Sequence, residues 1–362
     1  MALRTATATI DLRALINNVY VIKQQAPKSK VLAVLKANAY GHGLERIAKA
    51  LSDENTPVDA FGVARLDEAL ALRASGIIKP IVLLEGFFDP SDLAILATNN
   101  LQTIVHNDAQ LKALCSAQLE KPLKVWLKID TGMHRLGIHP RELSAFYQKL
   151  STCANVDKSI TLMSHLACAD EIENEVTNKQ IALFNEITES IGDCRSMANS
   201  AGIWAWPQSH YQWVRPGLML YGVSPMQAEH GLIQIQPVMT LQSSLIATRK
   251  LSKGECVGYG AAWQASEDTM IGVIAIGYGD GYPRHAKNGT PVLLNNRRVS
   301  LVGRVSMDMI TVDLGADAQD SIGDIATLWG KGLPIEEVAQ WATTIPYELL
   351  CNITRRVQMT VE

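Results

Sequence analysis

The segment from Val31 to Gly43, VLAVLKANAYGHG, places one lysine directly after five apolar residues. A short unbroken apolar run is typical of a strand buried on both faces, so Lys36 lies where a parallel strand would leave its sheet. In parallel α/β folds the catalytic groups collect at the carboxyl ends of the strands. A partly desolvated lysine there can form a Schiff base with a carbonyl compound. Taken alone, the pattern also fits an ordinary solvated lysine at a strand end.

Other residues with useful chemistry lie within or just after further apolar runs. Lys128 lies inside VWLKI, Arg135 follows the next Thr-Gly turn, and His165 ends TLMSHL. Arg215 precedes a Pro-Gly pair, and glycine lets backbone amides approach a phosphate closely. Each signal by itself also fits a structural role. A strand lysine can pair with an acid, a strand-end histidine is often only hydrogen-bonded, and the Asn-Ser pair at 199–200 can cap a helix.

Size and composition limit the classes of function. A chain of 362 residues suits a barrel with a smaller partner domain, and its formal charge of −3 makes nucleic acid an unexpected partner. No apolar run has membrane-spanning length, and the first residues lack the apolar core of a secretory signal. The six cysteines form no CxxC pair and no zinc spacing. We therefore expect reduced thiols, no metal site and a cytoplasmic location.

Short apolar runs alternate with helical patterns over the first 220 residues, which indicates a parallel α/β fold. A helix is expected after Asp11, which can cap it, and another from Thr177, where Ile181 and Phe184 would share a face. About eight strand-like runs favour an N-terminal (β/α)8 TIM-type barrel over a doubly wound sheet. The expected strands are residues 31–35, 61–64, 80–84, 102–105, 123–129, 159–166, 195–198 and 217–221.

The pattern changes near residue 225, where helical periodicity fades and short strand-like pieces follow. These pieces predict a C-terminal domain of mostly β-strands, with a hairpin turn at Asn295-Asn296. Residues 224–231 fit a linker, so we expect a barrel over 11–230 and a β domain over 231–362. A first strand over 4–10 is a candidate to pack with the second domain. The expected strands of that domain are 238–248, 271–277, 291–294, 299–305 and 309–314.

The segment around Lys36, a lysine followed by three residues, a tyrosine and Gly-His-Gly, resembles the pyridoxal-phosphate stretch of the alanine racemases. The resemblance continues in the family's order and covers essentially the whole chain up to Tyr347. It implies a fold-type III, pyridoxal-phosphate-dependent isomerase, a homodimer with shared active sites that interconverts L- and D-alanine. The other segments that carry it are VWLKIDTGMHRLGI, MANSAGI, WVRPGLMLYG, GECVGYGAAW, IGYGDGYPR, GRVSMDM and IPYELLCNI.

The same resemblance implies a role for each matching residue. Lys36 would carry the cofactor and serve D-alanine, and Tyr259 of the partner subunit would serve L-alanine from the opposite face. Lys128 matches a lysine that is carbamylated in several family members. The residues implied in cofactor binding are Lys36, Tyr40, His165, Asn199, Ser200, Arg215, Gly217, Leu218 and Tyr347. Those implied in substrate binding are Arg135, Met307, Asp308 and Tyr278.

Arg215 separates several of the alternatives. The family places an arginine against the pyridine nitrogen, and because arginine does not give up its proton, that nitrogen stays unprotonated and transamination is disfavoured. Decarboxylases of the ornithine or diaminopimelate type place an acid there, and the non-catalytic pyridoxal-phosphate-binding proteins consist of the barrel alone. A racemase of broader substrate range on the same scaffold stays open. So does the physiological role, which is D-alanine supply for peptidoglycan or alanine catabolism.

Overall fold

The computed structural model describes residues 5–191, 194–226 and 234–362. The linker predicted at 224–231 lies mostly outside these residues, and so does the predicted boundary between residues 230 and 231. Within the described ranges, no helix combines the length and the apolar character that crossing a bilayer requires.

Eight parallel strands close into a barrel, which confirms the (β/α)8 TIM-type prediction for the N-terminal part. Each strand pairs in parallel with the next, and the last pairs with the first to close the ring. The strand that precedes the barrel is β1 (Thr7–Ile10), and the barrel strands are β2 (Lys30–Val34), β3 (Ala60–Val63), β4 (Ile81–Leu83), β5 (Gln102–Val105), β6 (Val125–Lys128), β7 (Thr161–Met163), β8 (Arg195–Ser196) and β9 (Trp213–Val214). Nearly all residues of the barrel strands are buried, because both faces of the sheet are covered.

The last barrel strand is not the predicted one. The sequence predicts a strand at 217–221, but the strand is β9, and Leu218–Tyr221 is a 3-10 turn. Pro216 has no amide to donate to a sheet ladder, and Gly217 has φ and ψ of −119° and −87°, which is not strand geometry. The turn is buried all the same. Burial, rather than strand pairing, therefore explains this apolar run.

Helices follow most of the barrel strands and cover the outside of the barrel. The helix after Asp11 forms as predicted, and the Asp11 carboxylate accepts from the Ala14 amide at 2.9 Å. The helix predicted from Thr177 buries Ile181 and Phe184 on one face. The helices of the barrel part are α1 (Leu12–Gln25), α3 (Leu44–Leu51), α4 (Leu66–Ala74), α5 (Asp92–Thr98), α6 (Asp108–Ser116), α7 (Leu143–Thr152), α8 (Val176–Thr188) and α9 (Ser200–Ala205). The segment α2 (Lys36–Tyr40) is a short turn with left-handed backbone angles, and α10 (Ile335–Trp341) and α11 (Pro346–Cys351) belong to the C-terminal part.

The C-terminal part is a strand-rich, mainly antiparallel domain, as predicted. Its strands are β10 (Met239–Leu251), β11 (Cys256–Val257), β12 (Trp263–Gln264), β13 (Thr269–Ile274), β14 (Pro291–Leu294), β15 (Arg297–Leu301), β16 (Ile310–Asp313), β17 (Ile325–Trp329) and β18 (Gln358–Val361). The main sheet has the order β13-β16-β15-β14-β17-β10-β1-β18, and β10 also pairs with β13. The hairpin between β14 and β15 turns at Asn295 and Asn296, whose φ values of 49° and 61° suit a two-residue type I′ turn.

The two parts of the chain meet at two places that bear on the site. β1 pairs antiparallel with β10 and parallel with β18, so the first described strand extends the C-terminal sheet. α11 packs against α2, where a Cβ on Gly41 would lie 2.1 Å from the carbonyl oxygen of Leu350. Gly41 also has a φ of 77°, so space and backbone conformation both require glycine. This contact carries Tyr347, on α11, to the segment that follows Lys36.

Candidate active site

Lys36 lies just beyond β2, at the start of a left-handed turn. Residues 37–40 have φ values between 50° and 55°, and Gly41 follows at 77°. A left-handed conformation costs roughly 1–2 kcal/mol for each residue other than glycine, so four in succession need strong support. Part of that support is Glu68, whose carboxylate accepts from the Ala37 amide at 2.7 Å. Backbone strain is therefore concentrated beside the lysine that the sequence singles out.

Further cations surround Lys36 at this end of the barrel. Lys128 is the last residue of β6 and is buried. Burial lowers its pKa to about 8, helped by the positive charges of Arg215, Arg135 and Lys36. The carboxylate of Glu85 opposes this shift without cancelling it. Positive charge outweighs negative charge in this group, so the pocket favours an anionic ligand.

The guanidinium of Arg215 is buried and held by the barrel. Nη1 donates to Ser196 Oγ at 2.6 Å, and Nη2 donates to the carbonyls of Ser164 and Met197 at 2.6 and 3.2 Å. Burial lowers the pKa of Arg215 to about 10, so the group keeps its charge at neutral pH. Nε donates to none of the described residues, and it is not fully enclosed by them. One N–H of the arginine is thus left for a ligand.

His165 lies beside this guanidinium as a neutral ring. Its Nδ1 is 3.3 Å from Nη2 of Arg215. Burial lowers the pKa of His165 well below its usual value, and the charges of Arg215 and Lys128 lower it further. Because arginine can only donate, Nδ1 is the acceptor and the ring hydrogen is on Nε2. His165 therefore supports the arginine without adding charge to the pocket.

Three donors near Gly217 have no acceptor within the ranges that the structure describes: the Tyr40 hydroxyl, the Leu218 amide and the hydroxyl hydrogen of Ser200. The Ser200 oxygen accepts from the amides of Gly217 and Met219 at 2.9 and 3.3 Å, so its own hydrogen is free to donate. A Cβ on Gly217 would lie 2.5 Å from the Tyr40 hydroxyl oxygen, so only glycine keeps this space open. We call these donors the anion cradle, since a phosphate needs such a set.

The C-terminal domain of the same chain contributes to the surroundings of the cradle. The ring of Tyr347 lies 5.8 Å from that of Tyr40. Partial burial raises the pKa of Tyr347 to about 12, and Asp170 adds to the shift, so the hydroxyl keeps its hydrogen at neutral pH. Tyr221 also packs on Tyr40, with ring centroids 4.8 Å apart. Residues from both domains thus converge on Tyr40.

Asn199 has a local role in the structure. Its side chain caps α9 by accepting from the Gly202 amide at 2.9 Å, and it donates to the Leu166 carbonyl at 3.4 Å. The capped helix begins with Ser200. Asn199 therefore holds a member of the anion cradle in place.

Tyr278, Met307 and Asp308 form a second group, on the C-terminal domain. The amide of Gly279 donates to the Met307 carbonyl at 2.9 Å, which ties their two loops together. Asp308 accepts from Arg356 at 2.7 Å. The side chains of Tyr278 and Met307 are 41% and 52% exposed. Among the described residues no hydrogen bond, ion pair or ring contact joins this group to the lysine in the barrel.

Tyr259 stands apart from the barrel residues. It begins a 3-10 turn after β11, and its side chain is 71% exposed. It lines a surface pocket of about 390 Å³ with Arg304 and Met309. No hydrogen bond or ring contact connects it with Lys36 in the described part of the chain.

Three residues that shape the site are missed by the sequence reasoning. Ser164 and Ser196 hold the guanidinium of Arg215, and Glu68 accepts from the amide that follows Lys36. The serines lie in or beside apolar strand runs, and a polar residue inside such a run is the one signal that could have found them. Glu68 lies in an ordinary helix and carries no comparable signal.

The residues at the barrel end fit pyridoxal phosphate, the cofactor implied by the sequence resemblance. The anion cradle suits its phosphate, because it has free donors and space that a Cβ would fill. The unpaired Nε of Arg215 suits a ring nitrogen that accepts a hydrogen bond. Lys36 offers an amine of the kind that the cofactor's aldehyde would need.

Family models match both parts of the chain. The model of the alanine racemase N-terminal domain matches residues 10–225, and that of the C-terminal domain matches residues 238–361. The alanine racemase of Vibrio cholerae serotype O1 is 57% identical over 361 residues, which cover 99% of this chain and 98% of the relative. The alanine racemase of Aeromonas hydrophila is 55% identical and covers 99% of both chains.

Solved structures agree with these matches. The biosynthetic alanine racemase from Pseudomonas aeruginosa superposes with a TM-score of 0.95 at 42% identity, over 99% of this chain and 100% of that one. The alanine racemase from Bartonella henselae with covalently bound pyridoxal phosphate superposes with a TM-score of 0.90 at 31% identity, over 99% of both chains. Sequence and fold lead to the same result over nearly the full length: this chain belongs to the alanine racemase family of isomerases.

Proposed function

We propose that the chain is a pyridoxal-phosphate-dependent alanine racemase that interconverts L- and D-alanine. The observation that carries the proposal is the grouping, at one end of the barrel, of Lys36 with the buried Arg215 and the anion cradle. The names of the relatives support alanine as the substrate.

The residues around the cofactor position would bind it and set its charge. When bound, pyridoxal phosphate supplies a conjugated ring that holds the negative charge released at Cα. Tyr40, Ser200 and Leu218 would donate to the phosphate. Arg215 would donate from Nε to the ring nitrogen and keep its own proton at neutral pH, because its pKa is about 10 even when buried. By leaving the ring nitrogen unprotonated, Arg215 would limit the withdrawal of charge and favour return of a proton to Cα over transamination.

Racemisation needs two groups, one on each face of Cα, because the proton leaves one face and another proton arrives on the opposite face. Lys36 is the base for D-alanine, and Tyr259 is the base for L-alanine. Tyr259 is exposed, and within the described part of one chain it forms no hydrogen bond or ring contact with Lys36. We therefore assign Tyr259 to the site of the partner subunit and infer a homodimer with two shared sites.

The substrate carboxylate needs donors near Cα. Arg135 lies close enough to Lys128 for its charge to lower the pKa of that lysine, and its planar fork suits a carboxylate. Met307 and Asp308 lie on the exposed side of the C-terminal domain with Tyr278, and we assign all three to the same shared site. Met307 would offer its backbone to the carboxylate, and Tyr278 would line the path into the site.

Lys128 is a candidate for carbamylation. Its pKa of about 8 leaves a sizeable neutral fraction at neutral pH, and the neutral amine is the form that attacks carbon dioxide. A nitrogen–carbon bond forms, one proton leaves, and the product is an anion. The charges of Arg135 and Arg215 would stabilise that anion. The intact mass under non-acidic conditions should exceed the sequence mass by one carbon dioxide in the wild type and not in Lys128→Met; an unmodified wild-type mass excludes the modification.

The function is tested by the visible spectrum of the purified protein, followed by borohydride reduction and peptide mapping. We expect a yellow protein whose reduced label maps to Lys36, and a Lys36→Ala variant without the label. Turnover of L-alanine and of D-alanine, compared with serine, then separates an alanine racemase from one of broader range. A colourless protein that binds no pyridoxal phosphate would overturn the proposal.

Two wider features belong to the same proposal. We propose domain limits of 11–230 and 231–362, and the family matches, which end at residue 225 and resume at residue 238, support a boundary in this interval. Six unpaired cysteines support a reducing compartment such as the cytoplasm. Growth of a D-alanine auxotroph that expresses the chain would test whether it can supply D-alanine for peptidoglycan.

A further inference from the structure

We propose that His42 is a positioning residue for Lys36: its imidazole holds the left-handed turn of residues 37–40 closed, and this turn fixes where the lysine side chain begins. The inference rests on the proposed function for its kinetic consequence only. The left-handed turn itself and its contacts with His42 are observed in the structure.

The imidazole of His42 is fully buried against the carbonyls of the turn. Nδ1 lies 3.0 Å from the carbonyl oxygen of Ala39 and 2.8 Å from that of Tyr40. Both partners can only accept, so Nδ1 must carry the ring hydrogen. Nε2 is sealed from solvent and has no partner among the described residues. Burial lowers the pKa of His42 to about 4, which agrees with a ring that stays neutral at physiological pH.

These bonds hold two residues whose backbone conformation is unfavourable. Ala39 and Tyr40 have φ values of 53° and 50°, and neither is a glycine that would adopt such angles freely. The first part of the turn has its own support, because Glu68 accepts from the Ala37 amide at 2.7 Å and the Asn38 side chain accepts from the Leu44 amide at 2.8 Å. The Ala39 carbonyl also accepts from the His42 amide at 3.0 Å, whereas the imidazole is the donor that the Tyr40 carbonyl has among the described residues. The ring of His42 therefore completes the support at the end of the turn.

Packing fixes the ring that makes these bonds. The imidazole stacks on Tyr221 with centroids 4.5 Å apart and planes inclined by 28°. The Tyr221 hydroxyl donates to the carbonyl of Val34, the last residue of β2, at 3.0 Å. Tyr221 also packs on Tyr40, a member of the anion cradle. His42 is thus held by a ring that contacts the segments on both sides of Lys36.

Two substitutions separate the hydrogen bonds from the packing. His42→Phe keeps an aromatic ring against Tyr221 and removes the donor, whereas His42→Asn keeps a donor near the position of Nδ1 and removes the ring. His139→Gln is the matched control, because His139 is exposed and only caps a surface turn before α7. Each variant is compared with the wild-type holoenzyme by amide hydrogen exchange, by the visible spectrum and by kinetics in both directions.

We expect faster exchange of the amides of Gly41, His42 and Gly43 in His42→Phe, since these amides donate to carbonyls of the turn. We also expect a shifted pH dependence of the cofactor absorption. We expect kcat to fall by about tenfold to a hundredfold in both directions with KM changed far less, as for a misplaced catalytic group. His42→Asn should recover much of the protection and of kcat, and His139→Gln should match the wild type. Wild-type exchange and kcat in His42→Phe would overturn the proposal, and so would an Asn variant as impaired as the Phe variant.

One measurement does not depend on how the variants fold. The nitrogen-15 spectrum of labelled wild-type histidines reports which ring nitrogen of His42 carries the hydrogen. We expect hydrogen on Nδ1, and hydrogen on Nε2 would overturn the proposal. A wild type that keeps the protected turn but fails to racemise alanine would reject the proposed function and leave the role of His42 in the turn standing.

Discussion

Nη2 of Arg215 lies 3.3 Å from Nδ1 of His165, so a buried cation faces the lone pair of a neutral imidazole. The same nitrogen of the arginine donates to two backbone carbonyls. This arrangement holds the charged Arg215 in a buried part of the barrel and keeps His165 unprotonated beside it. The electrostatics of the site depend on this pair.

Replacing Arg215 should raise the pKa of the His165 imidazole. Arg215→Gln removes the largest charge effect on His165, so the pKa of His165 should rise toward its usual value, although burial will still hold it down. Titration of labelled histidine by NMR would measure the change. Arg135→Gln is the control, since Arg135 acts on the same ring more weakly. An equal rise in the two variants would contradict this ranking of the charges.

The ammonium of Lys128 should make folding stability depend on alkaline pH. Below about pH 8 the folded and the unfolded chain both hold the proton, and the folded state bears the full cost of the buried charge. Between about pH 8 and pH 10.5 only the unfolded chain holds it, so the free energy of unfolding should rise with pH. The gain is about 3 kcal/mol for a shift of this size.

Denaturant unfolding of the wild type and of Lys128→Met from pH 7 to pH 10.5 would measure this gain. Protein whose mass shows a free amine must be used, because a carbamate at Lys128 has no ammonium to lose. Lys128→Met should be more stable than the wild type at pH 7, and the difference should shrink as the pH rises. If the free energies of unfolding of the two proteins changed in parallel with pH, the pKa of Lys128 would not be lowered in the folded state.

Gly217 and Tyr40 should be coupled in stability and in cofactor affinity. Gly217→Ala places a methyl group 2.5 Å from the Tyr40 hydroxyl oxygen, so we expect weaker binding of pyridoxal phosphate and lower stability. Adding Tyr40→Phe removes the clashing oxygen and should recover part of the lost stability, with an interaction energy of about 0.5–3 kcal/mol. The affinity for pyridoxal phosphate should stay low in the double variant, because Tyr40→Phe also removes a hydroxyl of the anion cradle. The cofactor dissociation constant and the free energy of unfolding of the two single variants and the double variant complete the cycle. Additive effects would show that the cradle relaxes around the methyl group.

Mixing two inactive variants should restore activity if the site is shared. In a heterodimer of Lys36→Ala with Tyr259→Phe, one site combines both defects and the other has both residues intact. After subunit exchange, an equal mixture should reach about a quarter of the wild-type rate by random pairing. Each variant alone is the control. If both residues of a site came from one chain, every heterodimer site would lack one of them and the mixture would stay inactive.

Much of the barrel follows from sequence alone. A strand covered on both faces needs an unbroken apolar run, so residues 31–35 predict β2 and place Lys36 at its end. Local features can also be predicted from sequence, because the Asp11 cap and the hairpin at Asn295-Asn296 each depend on residues within a few positions. The order of the motifs along both domains also indicates the family without any information from the fold.

What the tertiary structure decided depends on contacts between distant residues. Residues 217–221 are as apolar as a strand, but their backbone is set by Pro216 and by the Tyr40 hydroxyl that excludes a Cβ at Gly217. β17, β18, α10 and α11 carry weak local signals, and pairing and packing with remote segments define them.

The site shows the same division. The sequence predicts which residue types can bind the cofactor and transfer protons, and it predicts the strand end that carries Lys36. The low pKa of Lys128 and the separation of Tyr259 from Lys36 cannot be read from the sequence, because each depends on groups far away along the chain. The left-handed turn also needs distant groups, since Glu68 and Tyr221 support it together with the neighbouring His42. Burial and electrostatic fields arise only when the strands close into a barrel, so tertiary structure alone could decide how these residues work together.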